Sequence, residues 1–133
     1  MTTKISIIKI RKPASNDINE ELQWFGASLG LFSLRDKDRS CFRIFIVLLN
    51  IAKNDPPKPI TSDEIAYKLN LTRGTVIFHL KKLIETGIVE KEGNKGYILR
   101  TNSLAELIKE LEEDLKNFYK DLRNIAKNID MKL

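Results

Sequence analysis

The stretch TSDEIAYKLNLTRGTVIFHLKKLIETGIVEKEGNKGYILR, residues 61–100, carries the start and stop signals of two short helices followed by two short strands. Thr61, three residues before Glu64, makes a capping box in which the hydroxyl accepts from a free first-turn amide and the carboxylate reaches back to the N-cap amide. A helix therefore starts here, with Ile65, Ala66 and Leu69 on one face. Asn70 and Leu71 leave it, and Thr72 supplies a second N-cap. Val76, Leu80, Leu83 and Ile84 then recur at helical spacing up to Gly87, which suits the left-handed cap conformation. Two helices joined by so few residues must cross steeply. Residues 88–91, the glycine-bearing turn 92–96 and residues 97–100 read as strand, turn and strand.

Helix, tight turn, helix and hairpin, in that order, are the plan of a winged helix-turn-helix. The run LNLTRGTVIFHLKKLIETGIVEKEGNKGYILR, with Thr75-Val76, His79-Leu80-Lys81-Lys82-Leu83 and Gly87-Ile88-Val89 ahead of the hairpin, resembles the DNA-binding core of the ArsR and MarR-like winged-helix transcriptional regulators. The expected fold is thus mainly α with a small β-hairpin wing. An N-terminal extension (1–36) precedes the winged helix-turn-helix (37–100), and a long C-terminal helix (101–133) follows it.

The resemblance implies double-stranded DNA as the partner, with helix 72–86 in the major groove and the wing, 91–97, on the backbone. At about 100° per residue, turning Val76, Leu80 and Leu83 inward turns Gly74, Phe78, Lys81, Lys82 and Glu85 outward. Thr72, Arg73 and Thr75 occupy the first turn. Arginine can pair with guanine O6 and N7, threonine can donate, accept or touch a thymine methyl, and a helix N-terminus favours phosphate. Gly74 would let the backbones come close. Lys81 and Lys82, with Lys91, Asn94 and Lys95 of the wing, suit phosphates. Phe78 departs from the polar residue expected on this face, and two readings stay open. It touches thymine methyls, or its face docks a protein or packs under another part of the chain. A winged helix used for protein docking through Ile77 and Phe78, and an RNA-binding one, are the rival functions. His79, at the edge of the core stripe, reads as a packing histidine.

Composition narrows the remaining choices. The 133 residues suit one domain with an appendage, and a formal charge of +5 with a pI near 9.3 suits a polyanionic partner without requiring one. No run is apolar enough to span a bilayer and the N-terminus does not read as a signal peptide, so the expected location is the cytoplasm. With one Cys and one His, neither the metal clusters of some ArsR relatives nor a nucleophile with a histidine partner is visible. No P-loop or dinucleotide fingerprint occurs either. A non-metal-sensing protein without cofactor or enzymatic activity is expected. Cys41 reads as a buried thiol.

Outside the core motif, residues 39–52 are apolar nearly all round, as befits a helix buried on several sides. The Pro-rich run 55–59 ends it and suits an extended approach to Ile60. Residues 17–31 read as an amphipathic helix with Ile18, Leu22, Phe25 and Leu29 in its stripe and Trp24 beside it. Residues 4–12 alternate weakly, as either a strand or a frayed tail. After the wing, Ser103 and Glu106 form another capping box. Leu104, Ile108, Leu111, Leu115, Phe118, Leu122, Ile125 and Ile129 then follow at alternating spacings of four and three. So long a heptad points to a helix-helix seam, hence a homodimer reading an inverted repeat. Packing on helix 17–31 of the same chain is the alternative. Same-signed Glu112, Asp114 and Asp121 disfavour a parallel self-pair.

Overall fold

The computed structural model describes residues 3–32 and 39–133. In chain order its elements are α1 (Ile18–Ser28), α2 (Ser40–Ala52), α3 (Ser62–Leu69), α4 (Arg73–Glu85), β1 (Val89–Glu92), β2 (Gly96–Leu99) and α5 (Leu104–Lys132). This is a mainly helical chain with one antiparallel hairpin, a winged helix-turn-helix followed by a long C-terminal helix. The expected boundary between residues 36 and 37 lies outside the described residues.

The centre of the core is α2, whose Ile44, Phe45 and Leu48 are fully buried. Val76, Leu80 and Leu83 of α4 join the same cluster, with Ile65 of α3, Val89 and Leu99 of the hairpin, and Leu107 and Leu111 of α5. Each such aliphatic side chain, fully buried, contributes about 1.5–3 kcal/mol. Ahead of α2, Leu31 and Phe32 also enter the core, where the Phe32 ring meets Phe42 edge-on at 5.4 Å and Phe45 at 6.4 Å. The Cys41 thiol is buried and donates to the Leu31 carbonyl at 3.1 Å.

Local signals set the boundaries of the two central helices. Thr61 and Glu64 complete both halves of the capping box, at 3.1 Å and 3.3 Å. Asn70 closes α3 in the left-handed conformation, φ 55°, and lets the Leu71 amide reach back to the Ala66 carbonyl at 2.9 Å. Gly87, at φ 80°, does the same for α4, with the Ile88 amide donating to Leu83 and the Gly87 amide to Ile84. One connection was not legible in advance. Arg43, the lone charge inside apolar α2, donates through Nη2 to the Leu69 carbonyl at 2.6 Å, placing a cation on the C-terminus of α3.

β1 and β2 pair from Val89 with Leu99 to Glu92 with Gly96. Ile60 adds a single bridge to Tyr97, with hydrogen bonds of 3.0 and 2.7 Å, so the approach through the proline run ends in a strand of one residue. The backbone at Ile60 passes so close to Gly96 that a Cβ there would lie 2.3 Å from the Ile60 carbonyl oxygen. Gly96 also has φ 124°, so both space and backbone conformation require glycine.

Residues 4–12 form neither a strand nor a frayed tail. They are tied down by Lys4 N–H to the Glu85 carbonyl and Ile8 N–H to the Ser28 carbonyl, both 2.7 Å. Trp24 donates its indole N–H to the Ile10 carbonyl at 3.0 Å, which gives that residue its role. Ile18, expected in the buried stripe of α1, is 68% exposed because it lies at the first turn, outside the packed part of that helix.

α5 begins on Ser103, whose hydroxyl accepts from Glu106 N–H at 3.2 Å. Arg100 at the end of the hairpin anchors it, donating to Glu110 at 2.7 Å and Asp114 at 2.9 Å. The bond to Asp114 chiefly, then that to Glu110, holds this guanidinium above its ordinary pKa against partial burial. Past Leu115 every residue of α5 is exposed. Phe118, Leu122, Ile125 and Ile129 keep 46–59% of their surface open, so α1 does not cover them.

Gly96→Ala should lower the unfolding free energy by at least about 2 kcal/mol, since a backbone carbonyl must move to admit the methyl. Urea unfolding of the variant beside the parent chain measures this.

Candidate nucleic-acid interface

The first turn of α4 is built by its cap. Thr72 Oγ accepts from the Thr75 amide at 3.1 Å and donates its proton to Thr75 Oγ at 2.8 Å. The Thr72 hydroxyl is therefore largely engaged by the helix, whereas Thr75 retains its own O–H donor. Between them Arg73 and Gly74 are exposed, and nothing lies within 4 Å of where a Gly74 Cβ would stand. The free amides of this turn and the helix dipole make it a place where anionic oxygen is favoured.

Further along, burial of Val76, Leu80 and Leu83 leaves Phe78, Lys81, Lys82 and Glu85 exposed, as helical periodicity requires. Lys82 lies in the last turn, where an ammonium also complements the helix dipole. Phe78 is 68% exposed, with its ring edge-on to His79 at 5.3 Å, so it does not pack under another described part of the chain. On the hairpin Lys91, Asn94 and Lys95 are exposed, and the Lys91 ammonium stands 5.8 Å from the Tyr97 ring centre. Exposed Glu90 and Glu92 flank Lys91, so the strand alternates in sign.

Residues outside the expected set border this surface. Asp63, in the first turn of α3, pairs with Arg73, its Oδ1 3.4 Å from Nε. Tyr67 on the same helix is 92% exposed. Both precede the turn in sequence, and no periodic signal marks an exposed residue of one helix as a neighbour of the next. Among the described residues no three His, Cys, Asp or Glu side chains gather as a metal site would require, and no helix is long and apolar enough to cross a membrane.

Residues 46–98 match the family model of the helix-turn-helix (HTH) domain. The match runs from the second half of α2 to β2 and supports a winged helix-turn-helix DNA-binding regulator, without singling out the ArsR and MarR-like group. No curated protein and no solved structure matches the chain significantly.

Gly74→Ala should stabilise the fold by a few tenths to about 1 kcal/mol, because alanine favours helix and finds open space. The same methyl stands on the surface that would approach DNA, and should weaken duplex binding. Urea unfolding and a duplex titration of this one variant separate the two effects.

Proposed function

We propose that the chain is a homodimeric transcriptional regulator that binds double-stranded DNA by sequence. Residues 72–86 would lie in the major groove and the wing, 91–97, would lie on the backbone. The observation that carries this reading is the open first turn of α4, with Arg73, Gly74 and Thr75 at the exposed N-terminus of a helix inside the HTH match. Arg73 would read a base, Thr75 would donate or touch a methyl, and Lys81, Lys82, Lys91, Asn94 and Lys95 would hold phosphates. Regulation would follow from occupying a promoter, without chemistry.

The second copy would cover the projecting part of α5. Leu104 and Leu111 pack against the chain's own core, so the seam left for a partner starts near Leu115 and runs through Phe118, Leu122, Ile125 and Ile129, with Ile108 at its edge. A dimer with a two-fold axis would read an inverted repeat.

Selection of bound duplexes from a random pool tests the reading, and an inverted repeat is the expected outcome. Absence of binding to any duplex at low salt would overturn it. Arg73→Ala should lose preference at one base position, by roughly 5- to 100-fold. Lys82→Ala and Lys95→Ala should weaken all sequences alike and flatten the salt dependence by about 0.9 each in log–log slope. Leu122→Asp should convert dimer to monomer in sedimentation while the helix-turn-helix stays folded. The exposure of Phe78 and Tyr67 favours one rival, a docking surface for another protein. In that case Phe78→Ala would abolish capture of a partner and leave duplex affinity unchanged.

A further inference from the structure

We infer that Asp63 is a positioning residue that orients Arg73 for reading a guanine, an inference that rests on the DNA-binding reading above. The carboxylate sits in the first turn of α3 and the guanidinium at the first residue of α4, with 3.4 Å between Oδ1 and Nε. Both ends of the pair are held by structure that does not depend on it. Thr61 and Thr72 cap the two helices, and Ile65 and Val76 anchor them in the core. The pair therefore spans a fixed gap between two helices.

Its side chains are 68% and 73% exposed, and an ion pair so open to water contributes little stability. Its effect on geometry is larger. A free arginine side chain carries about 2 kcal/mol of rotamer entropy, part of which must be given up on docking to a base. Holding Nε against Asp63 removes some of that freedom before DNA arrives. With Nε against the carboxylate, Nη1 and Nη2, a pair of donors whose spacing fits guanine O6 and N7, would be left for the base. Gly74 beside Arg73 carries no side chain, and nothing lies within 4 Å of where its Cβ would stand. The carboxylate has an opposite effect on phosphate, since it cancels the charge that Arg73 would offer to any duplex. Asp63 thus reserves Arg73 for base reading.

The consequence is a pair of changes of opposite sign. Asp63→Ala should lower discrimination at the position read by Arg73 roughly three- to tenfold, a part of what a paired arginine–guanine contact supplies. It should also tighten binding to random duplex at low salt and steepen the salt dependence by up to about 0.9 in log–log slope. A residue that merely stabilised α3 would produce neither change. Asp63→Asn, which keeps the side chain's volume and removes its charge, should behave as Asp63→Ala does and serves where the alanine variant folds poorly. Asp63→Glu should restore part of the discrimination.

The experiment is selection from a random duplex pool with the full chain, Arg73→Ala and the Asp63 variants, followed by titration of the selected duplex and of a random one. Arg73→Ala identifies the position concerned. Loss of preference at that same position in Asp63→Ala and Asp63→Asn supports the inference, and unchanged preference overturns it. It is equally overturned if Arg73→Ala leaves every position intact while the full chain still selects a sequence, and in that case DNA binding itself stands. If the full chain binds no duplex at low salt, the DNA-binding reading falls and the role of Asp63 falls with it.

Discussion

Burial of α2 on several sides is the constraint from which the rest of the molecule follows. With Ile44, Phe45 and Leu48 sealed, α3 and α4 each pack one apolar face on this helix and keep the other in water, β2 packs beside them, and the start of α5 joins the same core through Leu107 and Leu111. The exposed surface of α4 is the complement of its packed stripe. Whatever α4 presents to a partner is set by how Val76, Leu80 and Leu83 are seated, which links the interior to the site directly.

Polar ties then fix how these elements meet. Arg43 grips the end of α3, Ile60 lies against Tyr97 and Gly96, and Arg100 clamps α5 through Glu110 and Asp114. Each joins a charge or backbone group on one element to the unpaired groups of another, so relative orientation is specified in a way that apolar contact alone would leave loose. The short helix-turn-helix is held at both ends. Its first α4 turn consequently offers amides, a threonine hydroxyl and an arginine on a rigid base, as a reading surface requires.

The fold was largely legible in residues 61–100 because local chemistry dictates it there. A threonine with glutamate three residues on, a second threonine cap, a glycine able to turn left-handed and a glycine-bearing hairpin are each sufficient within a few residues. The outward face of α4 was legible for a similar reason, since helical periodicity alone sorts Phe78, Lys81 and Lys82 from Val76 and Leu80. The fate of residues 4–12 was not legible. Their weak alternation allowed a strand or a tail, and the outcome depended on acceptors at Ser28 and Glu85, distant in sequence.

Heptad spacing picked out an apolar stripe of α5 without Leu107, the most deeply buried residue of that helix, and it could not say where the chain's own core ends along it. That limit, near Leu115, depends on the size of the domain beneath. Likewise no sequence signal joins Asp63, in the first turn of α3, to Arg73; packing of α3 on α4 does. Sequence by itself determined α3, α4, the hairpin, their caps and the inward and outward faces of α4, because these depend on interactions within a few residues. Only the tertiary structure decided which faces stayed uncovered and which charges on separate helices came together, because both depend on how elements distant in sequence pack.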